Sequence, residues 1–224
     1  MTLLLLAVAP ITISILYIYF KDKFEKEPIT FLFKNFLLGA TVSILITAIV
    51  SFFAVQLFPL TNVKSIAQQF FQAFFVVALV EEFSKYVIVL FYAQKNKEFN
   101  EPFDGIVYAV MVSMGFAALE NVLYVYHHGL ETGFIRAFTA VPAHATFAIL
   151  MGYFMGKAKF VASKKLVNIT GLLLATTFHG AYDFFLFIDF IPGISSGAFV
   201  SLVIGILLSK KAIKKHQQIS QFKV

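Results

Sequence analysis

The sequence predicts an all-α protein, a polytopic transmembrane helix bundle of about seven helices with its active residues in the bundle core. Three observations predict it. The chain is 59% hydrophobic and only 13% charged, with a mean hydropathy of +0.84, whereas soluble domains carry about 25% charged residues. Apolar stretches of roughly 20 residues, the length that crosses ~30 Å of hydrocarbon, recur along it. Its basic residues also crowd into alternate loops, which is the charge asymmetry of a multi-pass membrane protein.

In chain order the apolar stretches are 3–20, 35–58, 66–93, 104–127, 134–156, 166–189 and a shorter one at 193–209. The first has no lysine or arginine ahead of it and no small-residue cleavage site behind it, so it reads as a retained helix. Lys21, Lys23, Lys26 and Lys34 follow the first stretch, Lys95 and Lys97 the third, and Lys157, Lys159, Lys164 and Lys165 the fifth. Lys210, Lys211, Lys214, Lys215 and Lys223 occupy the tail. These are 15 of the 18 basic residues, leaving Lys64 and Arg136 in the opposite loops and Lys85 within a helix. The N-terminus is therefore expected outside and the C-terminus in the cytoplasm.

That topology accounts for the net charge of +6, so nucleic acid is excluded as a partner and the lipid bilayer, with its anionic headgroups, is the expected one. No polar connection is long enough to fold alone, and residues 1–224 read as a single integral membrane domain. Gly152 and Gly156, together with Gly115, Ala117 and Ala118, allow helices to approach closely. With no cysteine, any catalysis must use carboxylate, imidazole or hydroxyl groups.

Ionisable groups at mid-bilayer cost about 2.5–3.5 kcal/mol each, so those that occur there face the protein interior and mark function by default. The third stretch carries Glu81, Glu82 and Lys85; the fourth, Glu120 and Asn121; the fifth, His144; the sixth, His179 and Asp183. At 1.5 Å rise per residue, Glu81, Glu120, His144 and His179 lie roughly 10–17 Å from the outer ends of their helices. Carboxylates and imidazoles brought to one level by four helices outline a bundle-core metal site. Lys85 follows Glu81 by four residues and Asp183 follows His179 by four, so each pair shares a helix face, and Asp183 is placed to orient His179. Adjacent helical positions point about 100° apart, so only one of Glu81 and Glu82 can face the site, the other engaging Lys85 or another helix. Glu81 is the favoured inward residue. The alternative for the group 81–85 is a structural ion-pair network, and His127, His128, Asp104 and Asp189 sit at helix ends where interfacial roles suffice. Neither HExxH nor GxSxG occurs.

Taken together, DKFEKEP from Asp22 to Pro28, EEFSK from Glu81 to Lys85, DGIVYAVMVSMGFAALEN from Asp104 to Asn121, His144, and HGAYD from His179 to Asp183 resemble the PrsW family of bacterial intramembrane metalloproteases. That family is distantly similar to the CAAX prenyl endopeptidases and bacteriocin-processing proteases. The resemblance implies a bacterial inner-membrane protease whose active site falls here on Glu81, Glu82, Glu120, His144 and His179. It further implies a single-span membrane substrate of the anti-sigma-factor type. On this reading Glu120, His144 and His179 hold zinc, Glu81 is the general base with Glu82 in support, and cleavage occurs near the extracytoplasmic side. Lys85, Asn121 and Asp183 support the site, with Asn121 a candidate oxyanion donor. Two alternatives remain: a glutamate-type protease without metal, and a non-enzymatic transporter or immunity protein whose buried charges form a network.

Overall fold

A computed structural model describes residues 2–223. Its helices stack into long rods that we label α1 (Thr2–Lys21), α2 (Ile29–Leu57), α3 (66–93), α4 (Pro102–Phe138), α5 (Ala140–Lys159), α6 (Lys164–Phe187) and α7 (Ser196–Gln218). Leu4–Lys21, Ile29–Leu57, Pro102–Lys159 and Ser196–Gln218 are long and apolar enough to cross a membrane. The long rods outside that set are α3 and α6, whose hydropathy is lowered by Glu81, Glu82 and Lys85 on one and His179 and Asp183 on the other.

Local chemistry sets the helix starts. Ser65 caps α3 by accepting from the Gln68 amide at 3.4 Å. Pro102 opens α4, where a missing N–H costs nothing, and Asp104 accepts from the Asn100 and Glu101 amides at 2.6 and 2.8 Å. Several boundaries differ from the apolar stretches of the sequence. Helix α2 starts at Ile29 rather than 35, because Lys34 near its end is long enough to keep its ammonium in water. Residues 134–138, expected to open α5, instead finish α4 beyond a sharp turn at Gly129 (φ 82°, ψ −167°). Helix α7 runs on through its lysines to Gln218, past the apolar core at 193–209.

Helix α4 is the central rod, buried continuously from Phe103 to Ala117. Glycines bring its neighbours into backbone contact. A Cβ on Gly105 would stand 2.4 Å from Gly156 Cα, one on Gly152 would stand 2.3 Å from Gly105 O, and one on Gly115 would stand 1.9 Å from Phe36 O. Gripped between α2 and α5, α4 cannot rotate, and this fixes where its polar residues point. π-Helical turns at Gly39–Ser43, Gln72–Ala78 and Val89–Ala93 adjust the faces of α2 and α3 on either side of the 81–85 segment.

At the loop joining α1 and α2, the carboxyls of Asp22 and Glu27 are buried. Burial pushes Asp22 up to about 7, against the pull of the nearby Lys26 ammonium and with a further push from Glu101. Burial and then the neighbouring Asp104 push Glu27 up to about 10.

Two outcomes are expected from this packing. Gly152→Ala should destabilise the purified protein by about 1–3 kcal/mol, since backbone rather than a flexible side chain blocks its Cβ; thermal unfolding in detergent measures it, and a neutral result would mean α4 and α5 are further apart. Because the folded state holds protons on Asp22 more tightly than the unfolded chain does, stability should fall as pH rises from about 4 toward about 7. Asp22→Asn should flatten that slope in melts taken between about pH 5 and pH 8.

Candidate functional site

Helices α3, α4, α5 and α6 deliver their polar residues to one place. At its centre is the Lys85 ammonium, 2% exposed, which donates to Glu82 Oε1 at 2.7 Å and to Glu81 Oε2 at 3.4 Å and lies 3.5 Å from His144 Nδ1. It also stands 4.2 Å from the centre of the Phe116 ring, a cation–π contact. The two glutamates diverge as neighbouring helical positions must. Glu81 faces a cavity of about 380 Å³, whereas Glu82 is 1% exposed and turned to Lys85 and His179.

Each imidazole is clamped. His144 Nε2 lies 2.9 Å from Glu120 Oε2, and its backbone carbonyl accepts from Ser113 Oγ at 3.1 Å. His179 has Glu82 Oε1 2.9 Å from Nδ1 and Asp183 Oδ2 3.2 Å from Nε2, and its ring stacks on Phe147 with centroids 4.9 Å apart. Asp183 thus touches His179 across the i, i+4 spacing that places it there. Behind the site, Ser84 Oγ bonds Ser43 Oγ at 2.6 Å, Thr47 Oγ1 at 2.9 Å and the Glu81 carbonyl at 2.7 Å, which ties α3 to α2 just where the glutamates leave it.

Arg136 departs from its expected place. It is no loop residue: its Nη2 donates to Glu120 Oε2 at 2.8 Å and its Nε to Asn121 Oδ1 at 2.8 Å, with the guanidinium 3.9 Å from the Tyr124 ring centre. A cation at the end of an apolar stretch looks like a loop charge. The signal that distinguishes it is that it is the one arginine among lysines, the side chain whose planar fork suits a partly buried carboxylate. Asn121 stands apart from the cavity lining, where an oxyanion donor would have to be. It is fully buried, donates to Ala7 O at 2.9 Å and accepts from Arg136, so it joins α1 to α4 beside the cavity rather than lining it.

Two interlocking donor groups have their atoms within 4.8 Å of one another: Glu81 with Glu120 and His144, and Glu81 with Glu82 and His179. Glu81 is common to both. Among the described residues, Glu120, His144 and His179 do not by themselves form a third group at that spacing. Carboxylate oxygens and imidazole nitrogens are the donor set zinc accepts. The buried Glu82 Oε2 has no hydrogen-bond partner, so the site retains acceptor capacity that a cation would use.

The family model described as PrsW family intramembrane metalloprotease matches residues 27–209. The chain belongs to the PrsW family. It is 39% identical to Protease PrsW of Geobacillus kaustophilus over 80% of this chain and 77% of that protein. It is 40% identical to Protease PrsW of Oceanobacillus iheyensis over 83% of each, and 34% identical to that of Bacillus subtilis over 80% of each. No solved structure is a significant match. As a PrsW relative the protein is an intramembrane protease of a bacterial membrane, acting on a membrane protein within lipid. This sets aside the transporter and immunity-protein readings.

Lys85 carries a testable load in this cluster. Lys85→Met would leave Glu82 and Glu81 buried without their shared cation and should cost on the order of 3–5 kcal/mol in thermal or denaturant unfolding. A variant as stable as the parent would show that the carboxylates are not charged together in the folded protein.

Proposed function

We propose that the chain is an endopeptidase that cuts a single-span membrane protein, of the anti-sigma-factor type, near its extracytoplasmic boundary, with Glu81 activating water beside a zinc ion. The observation that supports this reading best is the position of Glu81. It is the member of the paired glutamates that lines the cavity, and it belongs to both donor groups.

Glu120 and His144, from one donor group, and His179, from the other, are the residues that would hold the ion, drawn together across Glu81, which both groups share. Zinc, when bound, supplies a Lewis acid that polarises a peptide carbonyl and makes water more acidic. The remaining steps belong to the chain's own groups. Glu81 accepts a proton from the attacking water and returns it to the leaving amine, while the Lys85 ammonium 3.4 Å away offsets its charge. Asp183 holds the His179 ring at Nε2, which sets its orientation and leaves Nδ1, now against Glu82 Oε1, as the nitrogen that would turn to the ion. Phe147, Tyr182, Leu186 and Phe187 form the apolar wall against which an unwound substrate segment lies.

A second reading, a glutamate protease without metal, is supported by Lys85 itself. Its ammonium already lies within 3.5 Å of Glu81, Glu82 and His144, where it supplies positive charge among the donors.

The proposed topology has the N-terminus outside and the C-terminus cytoplasmic, and it places the cavity toward the outer face. To test the function, membrane peptides from cells expressing the wild type would be compared by quantitative mass spectrometry with those from cells expressing Glu81→Gln at equal protein level. Loss of a base is expected to slow appearance of the cleaved termini at least 100-fold. Unchanged cleavage by Glu81→Gln would move the base to another residue.

A further inference from the structure

The segment that carries Arg136 is jointed at both ends. At Gly129 the backbone takes φ 82° and ψ −167°, a region essentially open to glycine alone. No atom lies within 4 Å of where a Cβ would stand there, so the break is conformational and nothing wedges it. At Thr139 the chain leaves the helical region again, with φ −121° and ψ −77°. Residues 130–138 therefore form a short rigid piece between two joints. Its outer side is apolar and exposed at Leu130, Phe134 and Phe138, and Arg136, with the exposed Ile135 at the rim, walls the cavity that Glu81 faces.

Few polar contacts hold this piece to the bundle. Gly133 seats it against Val125 and Leu6. Its hydrogen-bonded attachment to the site is Arg136, which spans Glu120 and Asn121 and lies over Tyr124. Glu120 Oε2 accepts from Arg136 at 2.8 Å and also lies 2.9 Å from His144, so with Arg136 in place that oxygen is fully engaged. When Arg136 swings away, Glu120 keeps its contact with His144 but loses its cation, and Asn121 Oδ1 loses its donor, so the latch favours the closed position until an occupant displaces it.

We propose that residues 130–138 are a lid over the protease cavity, hinged at Gly129 and Thr139 and latched by Arg136 onto Glu120 and Asn121, which opens to admit the substrate chain. The inference rests on the reading of this cavity as the protease site. Arg136 is a positioning residue in this scheme: it acts through Glu120 and not on the reacting atoms. The occupant that displaces it is an extended peptide entering from the membrane, because the lid's inner edge is continuous with the apolar wall of Leu186 and Phe187.

The chain has no cysteine, so a single introduced thiol reports lid opening directly. Ala143 is 1% exposed and lines the cavity; Ala148 is equally buried and does not. The experiment measures labelling of Ala143→Cys by a water-soluble maleimide in the detergent-purified full chain, alone and combined with Arg136→Gln or Arg136→Lys. The latch predicts slow labelling in the single variant, at least tenfold faster labelling with Arg136→Gln, and an intermediate rate with Arg136→Lys, since an ammonium reaches Glu120 but cannot bridge to Asn121. Equal rates with and without Arg136 would overturn the lid. So would matching acceleration at Ala148→Cys, which would show that the substitution loosens the whole bundle. Labelling requires no turnover, so failure of the lid and failure of the protease reading produce different results.

Discussion

One ammonium group organises the interior of this protein. Lys85 lies between two glutamates of its own helix and a histidine of another, all in a bundle most of whose buried residues are apolar. Carboxylates taken out of water are tolerable only when a cation and hydrogen bonds replace the lost solvation. Lys85 supplies that at the α3 end of the site, and Arg136 supplies it for Glu120 at the α4 end. His144 bridges the two ends, between Glu120 and Lys85, while His179 joins Glu82 to Asp183. Each ionisable group can persist in the bilayer because its neighbours are already in position.

That positioning is a matter of packing as much as charge. The backbone-to-backbone contacts at Gly105, Gly152 and Gly115 fix the rotation of α4 against α5 and α2, and so decide that Glu120 meets His144. The hydroxyl cluster of Ser43, Thr47 and Ser84 does the same for α3 against α2. In a membrane, where lipid is as apolar as leucine, close backbone approach and interhelical hydrogen bonds are the forces available to set helix rotation. An enzyme that needs imidazole and carboxylate within hydrogen-bonding distance must spend much of its sequence on small residues and hydroxyls that never touch substrate.

Much of this was legible beforehand, for identifiable reasons. Charges inside apolar stretches stand out, so Glu81, Glu82, Lys85, Glu120, His144 and His179 could be found by depth alone, and the four-residue spacing of His179 and Asp183 announced a contact that the structure contains. Helix periodicity also required the two glutamates to diverge, though not which would face the cavity. Arg136 was missed because it lies beyond Gly129, and the turn there is a backbone event that hydropathy does not register. Asn121 stands out by its place beside Glu120, but its partners, Ala7 and Arg136, come from distant parts of the chain and only tertiary packing joins them. The early start of α2 escaped for a related reason: Lys34 marks a loop by composition, yet a lysine stem near a helix end is at home in the interface.

The proposed chemistry makes this cluster a metal-dependent hydrolytic centre. The most direct measurement is the metal content of the detergent-purified protein by mass spectrometry, for the wild type and for His144→Ala and His179→Ala. The account predicts about one zinc per chain in the wild type and its loss in both variants. Wild-type protein that cleaves its substrate with no metal bound would contradict it, and would leave Glu81 and Lys85 to carry the chemistry alone.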